Sequence, residues 1–173
     1  MGNRGLHRSP AEYYWGTLVP TAPGAILTPE PGVAGSAEER LDVGRAEGAP
    51  LRSKAVWAAS SIQDATAIAA IRSYSRTVPV PHEAIHVYRA DLQPFHLGPV
   101  AIIEELRTRL ETGAGNLERL ARQYWERSGT WHIQEFIAPS MTILEEVPAA
   151  TERDIYIRRW VHYNLDRERA AAL

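Results

Sequence analysis

The sequence predicts one α+β domain over residues 1–173. Strand-like and helix-like segments are mixed without a regular βαβ alternation, and no G-x-G-x-x-G or G-x-x-x-x-G-K-[ST] turn occurs. With 173 residues, of which 45% are hydrophobic, the chain has the length and apolar content of a single globular domain. These observations exclude Rossmann and P-loop folds.

The composition excludes several kinds of functional site. Without cysteine, a disulfide scaffold, a thiolate metal site and a cysteine nucleophile are excluded. A net charge of −2 argues against a dominant nucleic-acid role. Every basic residue except Lys54 is arginine, which indicates codon bias or, alternatively, phosphate recognition. In a strand, His82 and His86 would lie about 13 Å apart, so no metal site is expected.

From the sequence we also expect a chain without a targeting signal. Residues 1–11 contain no apolar core of a signal peptide, and no apolar run is long enough to span a bilayer. We therefore expect a cytoplasmic protein without membrane contact.

The first half of the chain contains two short strands and a helix. Aromatic and β-branched residues predict strands at 12–19 and 55–58. The Pro- and Gly-rich segment 20–50 is predicted to be an irregular loop with at most a strand fragment at 25–27. A capping box that begins at Ser61 predicts a helix over 62–73.

The second half contains strands and helices in turn. Alternating residues predict a strand at 84–92, and apolar stripes predict a helical pair within 100–127 that is divided at a GAGN turn. Strands follow at 130–137 and 141–147, which we expect to be neighbours in one sheet. A capping box at 151–154 opens a terminal helix.

Glu135 is the most informative single residue. In the strand from Thr130 it shares a face with the apolar side chains of Trp131, Ile133 and Ile137. If that face is covered, the ionised carboxylate needs a partner, because burying it unpaired costs several kcal/mol. The alternatives are a salt bridge to one of the arginines and a catalytic or ligand-binding carboxylate.

The aromatic run at 13–17 is a second candidate site. Gly16 would let a ligand approach the backbone, and the flanking aromatic rings offer stacking surfaces for a planar group. The alternative is that this strand simply belongs to the core.

Taken in order, these motifs resemble the ADP-ribosyltransferase superfamily, and most closely the small rifampin ADP-ribosyltransferases. That group opens with an aromatic-His-Gly-Thr strand and a P-G-x-x-hydrophobic-x-P loop, which resemble 14–17 and 23–29 of this chain. The family then has a valine-aromatic strand, a small-residue turn and an Ala-rich helix. Residues 56–69 of this chain resemble these three features. The resemblance covers about residues 12–97 and resumes at 130–147, so the helices of 100–127 look like an insertion.

The resemblance implies a fold, a substrate and a reaction. The fold is a split β-sheet core with a C-terminal helix. This fold binds NAD in a cleft, and NAD is a substrate. ADP-ribose is transferred to an acceptor, which is a small molecule, a protein or a nucleic acid, and a carboxylate stabilises the oxocarbenium-like ribose as nicotinamide departs. Carried over by position, Glu135 is the catalytic candidate. The cofactor-binding candidates are Tyr14, Trp15, Gly16, Thr17, Trp57 and Ser60.

Three positions depart from the family pattern. Trp15 stands in place of the usual histidine, and Trp57 stands where a tyrosine usually stacks on nicotinamide. Ile133, two residues before Glu135, replaces the acidic or amide residue of a Q-x-E or E-x-E motif. The alternative to a transferase is therefore a catalytically inactive binding or interaction module of the same fold.

Overall fold

The computed structural model describes residues 12–74, 85–126, 131 and 133–150. In these residues the chain forms two antiparallel β-sheets and four α-helices, so the predicted α+β class is confirmed. The expected terminal helix from Thr151 and the residue His82 lie outside the described residues.

The larger sheet has the strand order β1-β4-β7-β2. Its strands are β1 (Tyr13–Thr17), β2 (Ile26–Leu27), β4 (His86–Leu92) and β7 (Met141–Val147). Gly16 of β1 faces Val87 of β4, and the pairing of β4 with β7 shifts register between Arg89 and Ala90.

The smaller sheet has the order β3-β6-β5. Its strands are β3 (Val56–Ala58), β5 (His96–Pro99) and β6 (Gln134–Ala138). A bridge between Tyr14 and Ala59 joins the two sheets, with backbone hydrogen bonds of 2.9 and 2.7 Å in the two directions.

One helix packs on the larger sheet, and the other three form an apolar cluster among themselves. The helices are α1 (Ala37–Asp42), α2 (Ile62–Tyr74), α3 (Val100–Thr112) and α4 (Leu117–Glu126), with a 3₁₀ turn at Arg52–Lys54. Helix α2 packs on β1 and β4, whereas α1, α3 and α4 pack on one another. The Ser61 hydroxyl accepts the Asp64 N–H at 3.0 Å, which confirms the predicted start of α2.

The structure corrects three expectations. Segment 20–50 is not wholly irregular, because α1 begins after Ser36, whose Oγ accepts the Glu39 N–H at 3.2 Å. Strand β5 was not predicted. The strands β6 and β7 are not neighbours, since β6 pairs with β3 and β5 while β7 pairs with β4 and β2. A two-residue connection, Pro139–Ser140, therefore carries the chain from one sheet to the other.

Across the described ranges, no helix is long and apolar enough to cross a membrane.

Candidate functional site

A cleft of about 670 Å³ is lined by residues of both sheets, and this volume is typical of small-molecule sites. Its walls come from the end of β1 and the chain after it, the start of α1, the 3₁₀ turn and β3. One wall is held in place by a long-range contact, since the Thr21 N–H donates to the Tyr88 hydroxyl at 2.9 Å.

Four of the six predicted cofactor-binding residues line this cleft, namely Trp15, Gly16, Thr17 and Trp57. The two indoles differ in accessibility. Trp57 is only 7% exposed and belongs to the core, whereas Trp15 is half-buried, with its ring centroid 6.0 Å from that of Tyr88. Trp15 is therefore the aromatic ring that offers a ligand more surface.

Gly16 serves packing between elements. A Cβ built on it would lie 2.3 Å from the carbonyl oxygen of Ala65 and 2.9 Å from the Cβ of Ala69, both in α2. The close approach that glycine permits here is thus between β1 and α2, and the sequence argument had attributed it to a ligand.

The other two predicted residues, Tyr14 and Ser60, are not among those that line the cleft. The Tyr14 hydroxyl donates to Glu12 Oε2 at 2.5 Å, and the Tyr14 backbone forms the bridge between the sheets. Ser60 is exposed and lies between β3 and the cap of α2. Their positions fit structural roles.

Glu135 is fully buried and does not line the cleft, but its partner does. Arg52 donates from Nε to Glu135 Oε1 at 2.8 Å and from Nη2 to Oε2 at 2.9 Å, and Tyr124 donates its hydroxyl to Oε1 at 2.7 Å. Of the two alternatives for Glu135, the structure shows the salt bridge. Arg52 is itself a cleft residue and is 3% exposed, so the buried ion pair adjoins the cleft through Arg52.

The buried cluster of Arg52, Glu135 and Tyr124 depends on a glycine. Gly98 is paired with Glu135 across the strands, and a Cβ on Gly98 would lie 2.1 Å from the Tyr124 ring. Glycine there gives the ring access to the carboxylate. Burial and then the charge of Glu135 raise the pKa of Tyr124 well above its ordinary value of 10.0.

Arg52 is fixed through its backbone as well as through its side chain. Its backbone N–H donates to Asp42 Oδ1 at 2.5 Å, so the end of α1 fixes the 3₁₀ turn. Burial alone would lower the pKa of Arg52, but the charge of Glu135 more than compensates and raises it. The guanidinium therefore stays charged in the buried pair.

Glu38, like Arg52, is a charged cleft residue that was not predicted from the sequence. It lines the cleft from the first turn of α1, and its Oε1 lies 2.5 Å from Arg107 Nη2. Burial acts to raise the pKa of Glu38, but the charges of Arg107 and Arg52 lower it below the ordinary value of 4.5. Glu38 is therefore ionised at neutral pH. The S-x-x-E pattern at 36–39 was the signal that could have placed it in a helix.

The result is a row of alternating charges whose two middle members, Arg52 and Glu38, line the cleft. Glu135, Arg52, Glu38 and Arg107 follow one another as electrostatic neighbours, and Arg107 also contacts Glu104 at 2.5 Å. Among the described residues, no group of three or more His, Asp and Glu residues is placed to hold a metal ion. Arg52 and Glu38 are thus the inner cation and anion that the cleft presents to a ligand.

Comparison with known proteins identifies no relative: no protein-family model, curated protein or solved structure matches the chain.

Proposed function

We propose that this chain binds NAD in the cleft between its two sheets, as a domain of the ADP-ribosyltransferase type. The observation that carries the proposal is the convergence of Trp15, Gly16, Thr17 and Trp57 on one cleft. The resemblance had selected these residues from two motifs about forty positions apart. The bridge between Tyr14 and Ala59 brings the two motifs together at this cavity.

The chemistry of the walls suits a dinucleotide. The Trp15 indole offers a face on which a planar ring can stack. Thr17, Thr21 and Ser53 line the same space. Thr17 Oγ1 accepts the Val19 N–H at 3.1 Å and keeps its own proton for a ribose or phosphate oxygen, whereas Thr21 and Ser53 donate theirs to the Val19 carbonyl at 3.1 Å and to Asp42 Oδ2 at 2.5 Å. Arg52 adds a positive charge at the floor.

A binding module is the function that the geometry supports best. Both Glu135 oxygens accept hydrogen bonds from Arg52, and the pair is nearly inaccessible to solvent. An oxocarbenium-like ribose in the cleft would face the Arg52 cation before it met the Glu135 anion. Glu135 is therefore a positioning residue for Arg52.

Transfer of ADP-ribose to an acceptor is the second candidate, and the same convergence of four family positions favours it. In that reaction the bond between nicotinamide and ribose breaks, its electron pair leaves with nicotinamide, and the acceptor attacks the ribose and loses a proton. The acceptor would enter past the exposed rim residues Val19 and Val33.

Calorimetric titration with NAD tests the binding proposal. We expect saturable binding that Trp15→Ala weakens by about 1 kcal/mol, because the variant removes an aromatic stacking surface. Tyr14→Phe is the matched control, since Tyr14 is the adjacent aromatic residue and lies outside the cleft; it should bind as the wild type does. No binding by the wild type would overturn the proposal.

Incubation with labelled NAD, followed by chromatography, separates the two candidates. A pure binding module returns NAD intact. Release of nicotinamide, with labelled ADP-ribose either attached to an acceptor or free after hydrolysis, would support the transferase hypothesis instead.

A further inference from the structure

We propose that Glu38 makes the cleft selective for a positively charged planar ring, so that it prefers oxidised NAD to its reduced form. This inference rests on the proposed function, which it deepens by assigning a specificity residue. Oxidised NAD carries a cationic pyridinium ring, whereas the reduced ring is neutral. The two forms share the same adenosine, riboses and phosphates.

Glu38 lies where it can contact a ligand in the cleft. Its side chain lines the cleft together with Trp15 and Trp57, and it is 24% exposed. Arg107 occupies Oε1, whereas Oε2 receives no hydrogen bond from another residue in the described ranges. One carboxylate oxygen is therefore available to a group in the cleft.

The charges of Arg52 and Glu38 are balanced by their partners in different ways. Arg52, the cation of the cleft, is bonded through two nitrogens to the buried Glu135, whose negative charge offsets part of the positive charge of the guanidinium. Glu38 is paired through Oε1 with Arg107, which does not line the cleft. A bound cation thus meets an anion and the half-buried Trp15 indole, and each of these attracts positive charge.

Titration of wild type and Glu38→Gln with both forms of NAD tests the inference. We expect the wild type to bind oxidised NAD roughly tenfold more tightly than reduced NAD, as one charge contact near a protein surface with an aromatic neighbour provides. Glu38→Gln should lose that preference by weakening the oxidised form alone. Affinity for the reduced form should stay within about twofold, since no ring charge is involved. Glu30→Gln is the matched control, because Glu30 is an exposed acid of the same cleft, and it should keep the preference.

Arg107→Gln provides a test with the opposite sign. It removes the cation that partly neutralises Glu38, so the preference for oxidised NAD should increase. This variant also keeps the inference falsifiable if Glu38→Gln does not fold, and thermal melting identifies that case.

The outcomes separate this inference from the function on which it rests. If the wild type binds neither form, NAD binding itself is wrong. If it binds both and Glu38→Gln leaves their ratio unchanged, or if Arg107→Gln lowers the ratio, NAD binding stands and the role of Glu38 is overturned.

Discussion

At the scale of single residues, the Glu135 carboxylate is the group on which most of the site's geometry depends. It is fully buried and accepts hydrogen bonds from Arg52 and Tyr124. We expect Glu135→Gln to lower the free energy of unfolding by about 3–5 kcal/mol, because it leaves the Arg52 charge buried without its partner. Denaturant unfolding measures this loss.

A double variant provides the control. Glu135→Leu combined with Arg52→Met removes both charges, so it should be less destabilised than Glu135→Gln. If Glu135→Gln instead retains wild-type stability while NAD turnover falls a hundredfold, the Glu135 charge acts on the substrate and the transferase reading gains its catalytic residue.

Tyr124 gives the same cluster a pH dependence. Its pKa is raised in the folded protein, so the unfolded chain loses the phenolic proton first as the pH rises. The unfolded state then binds fewer protons than the native state, and stability falls above about pH 10. We expect the stability advantage of wild type over Tyr124→Phe to shrink between pH 9 and about 11 in urea titrations. A constant difference would contradict the raised pKa.

Residue patterns placed Glu135 on an apolar face but did not decide whether that face is covered, nor which residue is its partner. The alternation of Trp131, Ile133, Glu135 and Ile137 was enough to place the carboxylate on an apolar face, and Ile133 and Ile137 are indeed fully buried. Arg52 lies 83 residues away in the chain. Nothing local distinguishes it from the other arginines, because the contact is created by the tertiary fold.

At the scale of elements, strand β5 and helix α4 meet at a position that admits only glycine. We expect Gly98→Ala to destabilise the protein by at least about 2 kcal/mol, since the new Cβ would overlap the Tyr124 ring and move its hydroxyl from Glu135. Gly115→Ala is the control, because a Cβ there meets no atom within 4 Å. Equal effects of the two variants in denaturant unfolding would refute this account.

Periodicity predicted the long elements better than the short ones. Helices α2, α3 and α4 and strand β7 begin and end within about two residues of the predicted bounds. Strand β5 was missed because Gly98 and Pro99 are poor strand residues, and α1 was missed because proline and glycine surround it. The sheet change between β6 and β7 is a tertiary choice, since a short connection also suits a hairpin.

At the scale of the whole molecule, the cleft draws its walls from both sheets, while direct pairing between the sheets is confined, among the described residues, to the Tyr14–Ala59 bridge. A ligand that fills the cleft should therefore hold the sheets together and bind only the native state. At a hundredfold excess over Kd, such binding adds about 2.7 kcal/mol to stability. For a chain of this size, that corresponds to a rise in Tm of roughly 5–10 °C.

Thermal melts in increasing NAD test this expectation. The rise should follow the logarithm of the NAD concentration, and Trp15→Ala should shift the curve to higher concentrations without changing its slope. Hydrogen exchange gives the spatial control, because protection should increase in β1 and β3, on both sides of the cleft, and remain unchanged in α3, which lies outside it. A Tm that is insensitive to NAD, or protection confined to one sheet, would show that the two walls do not share a ligand.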